Sequence, residues 1–227
     1  MTLPFVNDNI IIRNINNYSK ETSIMFEVKR LSLPPIQTNC CVLMDKNKHE
    51  AIVIDPASNG KYIFDFCQSK ELKVSAILLT HGHFDHIGGV DELVQLSGCK
   101  VFIHKNDAEM LNDPDKNGFS FFFSDGEMKC SSSCSCIEDG TVFDFAGEKI
   151  SAVHTPGHSK GSVVYLTDRF AFTGDTIMKG GVGRTDLYGG DQSELDQSLE
   201  KIIPVIRDKI IYPGHGPEFE WRDFYEL

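Results

Sequence analysis

Between Thr80 and Gly89 the chain reads THGHFDHIGG, which places three histidines and an aspartate within six residues. Neutral imidazole and carboxylate are the standard ligands of zinc and related divalent metals. Taken together, His81, His83, Asp85 and His86 therefore point to a metal centre, although any one of them alone would be an ordinary surface or core residue. In a nearly extended segment residues two apart project to the same side, so His81 and His83 can grip one ion. Gly82 between them removes side-chain bulk. Asp85 and His86 come after a turn and point to a neighbouring position, which suits a second ion better than four ligands crowding one. One such cluster cannot close two coordination shells, and further donors do follow: His158 in HTPGHSKGS, Asp175 in FTGDT and His215 in YPGHG. Each stands at the end of an expected strand, where rigid scaffolds hold functional groups.

The elements that position these residues are legible as short β-branched runs separated by amphipathic stretches. Ile10–Ile15, Met25–Leu33, Cys40–Met44 and Ala51–Ile54 are expected to be strands, closed by the turn formers Pro56 and Gly60. Lys61–Leu72 is expected to be a helix. Val74–Thr80, short and apolar, is typical of a strand buried on both faces, so the histidine cluster begins where that strand ends. Val90–Leu96 then predicts a helix, Val101–His104 a strand and Asp107–Leu111 a helical turn. From Asp113 to Asp139 breakers surround an aromatic patch, Phe119 and Phe121–Phe123, expected to make core contacts, with a mobile lid as the alternative. Thr141–Phe145, Lys149–Thr155, Ser162–Leu166, Phe170–Phe172 and Lys209–Tyr212 predict further strands, and Ser193–Ile206 a helix. Strands outnumber helices, so a sheet-on-sheet core with helices outside is the expected architecture.

Composition bounds the function. The 227-residue chain suits one large domain, and 41% hydrophobic residues fill a sizeable core. A formal net charge of -11 argues against an electrostatic grip on nucleic acid or on an anionic membrane. No basic leader precedes an apolar stretch, and no run approaches the ~18 apolar residues that span a bilayer, so a cytoplasmic protein is expected. Seven cysteines, an odd number with Cys40 and Cys41 adjacent, are unlike a secreted disulfide framework. The CSSSCSC stretch, Cys130 to Cys136, lacks paired metal-ligand spacing and is expected to be a flexible loop.

With the motifs THGHFDH, TPGHS, TGDT and PGHG in this order, the chain resembles the metallo-β-lactamase superfamily over nearly all of its length after about residue 25. The resemblance implies an α+β fold, an αββα sandwich of two mixed β-sheets packed face to face with helices on the outer faces and the metal centre at one sheet edge. It implies residues 1–24 as an N-terminal extension and 25–227 as the metallo-β-lactamase-fold domain. It implies that His81, His83 and His158 hold one metal, that Asp85, His86 and His215 hold a second, and that Asp175 bridges them. The lactamase branches generally lack the last histidine of HxHxDH, which argues against antibiotic hydrolysis. His49, His104 and His154 are left out of the site. Asp55 in IDP is a candidate to receive the outer N–H of a ligand imidazole, with a structural cap at the strand end as the alternative.

Two divalent ions, zinc before iron or manganese, would lower the pKa of a shared water and stabilise an oxyanion, so no serine or cysteine nucleophile is needed. Asp85 and Asp175 are the catalytic carboxylates on this reading, with Asp175 orienting the attacking oxygen and taking its proton. The segment GGVGRTDLYGGD, Gly180 to Asp191, is similar to the glyoxalase II-like branch and to the related persulfide dioxygenases. QTNCCVL, Gln37 to Leu43, resembles the small single-domain glyoxalase II-like hydrolases more closely. The expected activity is therefore hydrolysis of a small-molecule thioester such as an acylated glutathione. Arg184 and Tyr188 are candidate substrate contacts, Arg184 because a guanidinium fork matches a carboxylate, with a loop-holding pair to Asp186 as the alternative. The alternative activity is a mononuclear iron persulfide dioxygenase using only His81, His158 and Asp175. A metal-binding electron-transfer module is disfavoured, because no flavin motif or second domain accompanies a complete ligand set.

Overall fold

The computed structural model describes residues 26–225. The expected strand Ile10–Ile15 and the N-terminal extension lie outside the described residues. The first half of the chain forms β1 (Glu27–Leu33), β2 (Thr38–Asp45), β3 (Glu50–Ile54), α1 (Gly60–Ser69), β4 (Lys73–Leu78), α2 (Phe84–Ile87), α3 (Val90–Ser97) and β5 (Lys100–His104). A 3-10 turn over Ala108–Asn112, α4 (Phe119–Phe122) and β6 (Cys134–Ile137) complete it. The second half forms β7 (Val142–Phe145), β8 (Glu148–His154), β9 (Val163–Leu166), β10 (Phe170–Gly174), α5 (Gln192–Ile206), β11 (Ile210–Pro213) and β12 (Phe219–Glu220). Each half makes one six-stranded mixed sheet, ordered β1-β2-β3-β4-β5-β6 and β12-β11-β10-β9-β8-β7.

Strand alternation sorts the apolar side chains into three layers. On β2, Cys40, Val42 and Met44 face α1 and α3 with Ile63, Cys67 and Leu93, while Cys41 and Leu43 face the opposite way. That inner face meets Tyr165, Phe172 and Ile150 of the second sheet, and a third layer packs Val164, Ala171 and Ile211 against Ile202 and Ile206 of α5. Period-2 side-chain geometry in doubly covered strands requires this sorting. The result is the expected αββα sandwich.

Several expectations need correction. The first helix stops at Ser69 rather than Leu72, because Glu71 takes a φ of +57° and the Leu72 N–H turns back to the Cys67 carbonyl at 2.9 Å. The CSSSCSC stretch is not all loop: Cys134–Ile137 forms β6, paired in parallel with β5 from Val101↔Cys134 to His104↔Ile137. The pairing is made by backbone, so a polar side-chain sequence did not forbid it. The aromatic patch makes core contacts on one side only, where Phe119, Phe122 and Phe123 pack against the buried Phe84. Phe121, Phe122 and Phe123 are 64%, 46% and 39% exposed. All seven cysteines lie among the described residues and are free. Among the described residues no helix is long and apolar enough to cross a membrane.

Candidate metal centre

The two sheets bring their ligand-bearing ends together. Val163 N–H donates to the Thr80 carbonyl at 2.8 Å, Tyr165 Oη to the Leu79 carbonyl at 2.9 Å, and Asn39 N–H to the Gly214 carbonyl at 2.7 Å. After β4 the chain leaves the sheet through His81 and Gly82, His83 is extended with φ -71° and ψ 149°, and α2 then carries Asp85 and His86. Sheet two adds His158 after β8, Asp175 directly after β10 and His215 two residues after β11. Two glycines are dictated by this crowding. A Cβ on Gly82 would lie 2.8 Å from Met110 Cβ, and one on Gly214 would collide with the Asp175 carboxylate.

The inward atoms form two clusters that share Asp175. His83 Nδ1 lies 2.9 Å from His158 Nε2, which lies 3.2 Å from His81 Nε2. In the other cluster Asp85 Oδ2 lies 3.3 Å from both His86 Nε2 and His215 Nε2. Asp175 Oδ1 is 3.5 Å from His86, and its Oδ2 is 3.5 Å from His158 and 3.4 Å from His215. Bonds of about 2.0–2.1 Å in a tetrahedral shell space donor atoms by about 3.3–3.4 Å, so these separations suit divalent ions. His86 Nε2 and Asp175 Oδ1 are buried without a hydrogen-bond partner, which also fits donors aimed at cations. Three sets of donors within 4.8 Å of one another, His81/His83/His158, His81/His86/Asp175 and Asp85/His86/His215, could each hold an ion.

Outer contacts set the tautomers. Asp55 Oδ2 accepts from His86 Nδ1 at 2.9 Å and from Thr80 Oγ1 at 2.6 Å, and its Oδ1 accepts from Thr80 N–H at 2.8 Å. Thr80 Oγ1 is thereby left to accept from His81 Nδ1 at 3.0 Å, and His158 Nδ1 donates to the Arg184 carbonyl at 2.7 Å. In these three imidazoles protonated Nδ1 atoms on the outside leave Nε2 lone pairs pointing in, as metal-ligating imidazoles do, whereas His83 turns Nδ1 inward and keeps its buried Nε2 without a hydrogen-bond partner. Asp55 thus steadies two imidazoles, His86 directly and His81 through Thr80.

Charge follows the same division. Burial, with the neighbouring His158, holds His83 down to about 3 and therefore neutral, as a ligand must be. Burial pushes Asp85 up, but the His86 charge and hydrogen bonds from His215 and Thr38 outweigh it and bring its carboxyl down to about 2. Burial likewise disfavours the charged form of His215, yet the Asp175 and Asp85 carboxylates raise it to about 9. Bare carboxylates thus draw positive charge to the second cluster.

Two contributors escape a reading of the motifs. Thr38 Oγ1 donates to Asp85 Oδ2 at 2.6 Å. Asp107, fully buried, accepts from Gly82 N–H at 3.0 Å, Ser159 Oγ at 2.7 Å and Gly161 N–H at 2.6 Å, tying the His81–His83 segment to the His158 loop. Asp107 sits in no recognisable motif, and Thr38, which begins β2 within the QTNCCVL segment, is not of a metal-ligand type. The candidate substrate contacts are occupied within the protein. Arg184 makes a two-pronged pair with Asp186, at 2.6 Å from Nε and 2.7 Å from Nη2. Tyr188 Oη donates to Glu109 at 2.8 Å, with Lys116 and Lys160 over its ring at 5.4 and 4.9 Å. His104 and His154 stack on each other at 4.1 Å and belong to neither ligand cluster.

Residues 33–215 match the family model of the metallo-beta-lactamase superfamily. The chain is 35% identical over 193 residues to the probable metallo-hydrolase YqgX of Bacillus subtilis (strain 168), covering 84% of this chain and 90% of that one. It is 28% identical over 200 residues to the hydroxyacylglutathione hydrolase GloC of Haemophilus influenzae, covering 83% and 90%. Among solved structures, BLEG-1, described as a B3 metallo-beta-lactamase, superposes with a TM-score of 0.80 at 35% identity, covering 85% of this chain and 93% of that one. TTHA1623 in a di-iron-bound form gives a TM-score of 0.75 at 30% identity, covering 85% and 94%. The fold, the order of the motifs and these likenesses agree: the chain belongs to the metallo-β-lactamase superfamily of metal-binding hydrolases.

Proposed function

We propose that the protein is a dinuclear metal-dependent thioesterase of the glyoxalase II-like type, acting on a small acylated thiol such as an acylglutathione. The observation that carries the reading is the pair of donor clusters sharing Asp175. A mononuclear oxygenase would use His81, His158 and Asp175 and give no role to Asp85, His86 and His215, which converge just as closely. Hydrolysis is further supported by the likeness to GloC.

His81, His83 and His158 would hold one divalent ion, Asp85, His86 and His215 a second, with Asp175 reaching both and zinc favoured by the nitrogen-rich donor set. The ions supply a water of lowered pKa and positive charge for the developing oxyanion. Asp175, mostly buried, would accept the proton of the attacking water as the water oxygen bonds the carbonyl carbon. The carbon–sulfur bond then breaks, and the sulfur leaves with the electron pair and is protonated. Thr38 fixes the Asp85 carboxylate, and Asp55 fixes His81 and His86, so little reorganisation accompanies the step. Arg184 would exchange the exposed Asp186 for a substrate carboxylate, a cheap exchange because a solvent-exposed pair contributes little. Tyr188 lines the same rim.

The test is anaerobic release of free thiol from S-lactoylglutathione by zinc- or iron-loaded protein, with Asp175→Asn as the blank. Many turnovers per chain that vanish in the variant are expected. Thiol release absent under nitrogen, with oxygen consumed when a glutathione persulfide is added in air, would replace this reading by the dioxygenase. The 35% identity to BLEG-1 favours β-lactam hydrolysis as a second reading, against the expectation drawn from the last histidine of HxHxDH. Nitrocefin is therefore assayed beside the thioester.

A further inference from the structure

The exposed phenylalanines lie on a segment that is built into the metal centre. Asn117, fully buried, accepts Phe84 N–H on its carbonyl at 3.0 Å, accepts Phe119 N–H on its side chain at 3.0 Å and donates to the Met128 carbonyl at 2.9 Å. Gly118 follows with a φ of +83°, and a Cβ there would sit 3.8 Å from His83 Cδ2 and 3.7 Å from Leu187 Cδ1. Helix α4 starts at this point, so its aromatic ridge is anchored beside a ligand-bearing residue. Phe84, between His83 and Asp85 in sequence, is buried beneath the ridge, with the rings of Phe119, Phe122 and Phe123 at 5.8, 5.6 and 5.6 Å. The tops of Phe121 and Phe122 remain open.

From the other sheet, the Arg184 guanidinium lies over these open rings, 5.1 Å from Phe121 and 5.6 Å from Phe122. Its own carbonyl receives His158 Nδ1, so the contact joins the rims of the two ligand loops. Lys116 precedes the ridge, and with Lys160 it brackets Tyr188. Lys116 is paired with Glu109 and Asp113, so an apolar surface and the Arg184 guanidinium, whose only ion pair among the described residues is the solvent-exposed one with Asp186, meet beside the metal centre. Adjacent exposed aromatic side chains beside a ligand-bearing loop make a candidate binding surface.

We propose that the Phe121–Phe122 ridge receives an extended apolar or aromatic group of the substrate while Arg184 takes an adjacent carboxylate, so that the preferred thioester is a bulky apolar one rather than lactoyl. The occupant is the substrate itself, because the ridge starts beside His83 and its guanidinium, on exchanging the exposed Asp186, complements an anion. The proposal rests on the thioesterase reading for the reaction but not for the binding surface.

The experiment uses full-length, metal-loaded protein and a series of S-acylglutathiones: acetyl, butyryl, hexanoyl, octanoyl and phenylacetyl. On a half-exposed apolar surface kcat/KM should rise about twofold per added methylene. In the Phe121→Ala/Phe122→Ala double variant the octanoyl-to-acetyl ratio should fall toward one, and Phe121→Leu/Phe122→Leu should restore part of it. Val205→Ala, which removes another exposed apolar side chain on α5, should leave the ratio unchanged. A ratio near one in the wild type, or a steep ratio kept by the alanine variant, overturns the proposal. Should no thioester be cleaved, the thioesterase reading fails by itself, and calorimetric binding of the inert S-octylglutathione against S-methylglutathione decides the ridge. Tighter octyl binding that the alanine variant loses supports it, and equal binding sinks it. A concentration-dependent dimer that the alanine variant abolishes in sedimentation would assign the ridge to a second copy of the chain and also overturn the proposal.

Discussion

The floor of the site and its aromatic rim are built on opposite principles. On the floor, His81, His83, Asp85, His86 and His158 are buried, and most have an outer partner that fixes ring or carboxylate orientation. On the rim, Phe121, Phe122, Arg184 and Asp186 are exposed and hold one another only by ring faces and a solvated ion pair. Metal chemistry needs donors placed to within fractions of an ångström, which demands burial and networks. Substrate choice needs a surface that can change without unfolding the protein. One segment, from Asn117 to Phe123, connects the two.

The largest effect that would break this contrast comes from the shared carboxylate. Asp175→Asn should lower turnover by about a thousandfold through loss of metal and of the proton acceptor, read by steady-state kinetics beside elemental analysis of metal per chain. Wild-type metal content with full turnover would remove Asp175 from the floor.

Removing an outer partner should act through affinity. Asp55→Ala is expected to weaken metal binding by about ten- to a hundredfold, measured by competition with a chromophoric chelator. An unchanged affinity would mean that Asp55 merely ties the end of β3 to Thr80.

Asp107→Asn keeps the shape but turns an NH2 toward donors that need an acceptor. It should cost about 1–3 kcal/mol in urea unfolding, and cobalt spectra should show a disturbed His81/His83/His158 cluster rather than a disturbed second one. On the rim, Phe121→Ala should change stability by no more than about 0.5 kcal/mol, even though the acyl-chain profile shifts. A large loss of stability there would erase the distinction between floor and rim.

The last test concerns a buried histidine outside both ligand clusters, where only the pH dependence of stability is at stake. Burial, helped by the charges of His154 and Lys105, holds His104 down to about 4. The unfolded chain, with a histidine pKa of about 6.5, binds more protons than the native state between these values, so stability falls as pH drops through this window. His104→Phe should flatten the difference in stability between pH 7 and pH 4, followed by thermal melts. An unaltered slope would place the acid sensitivity elsewhere, for example at His83, which burial holds down to about 3 and which costs stability over the same fall in pH.

Sequence alone pointed to the family, the sandwich and the seven side chains that the fold brings together, because buried strands need continuous apolar runs and because HxHxDH, TPGHS, TGDT and PGHG keep residue type and spacing local. It was silent where energy comes from partners distant in the chain. β6 is held by backbone pairing to β5 and carries polar side chains, so no apolar pattern announces it. α4 is four residues long, and its phenylalanines have the composition of a core segment, so only the packed molecule shows them turned outward over Phe84. Asp107 acts on Gly82 and Gly161, 25 and 54 residues away, and Thr38 acts on Asp85 across 47 residues. Such contacts have no sequence signature, since a buried carboxylate or hydroxyl has the same letter as an exposed one. Donor identity is a property of local residues. Their tautomers, their bracing and the apolar wall beside them exist only once the two sheets close on each other.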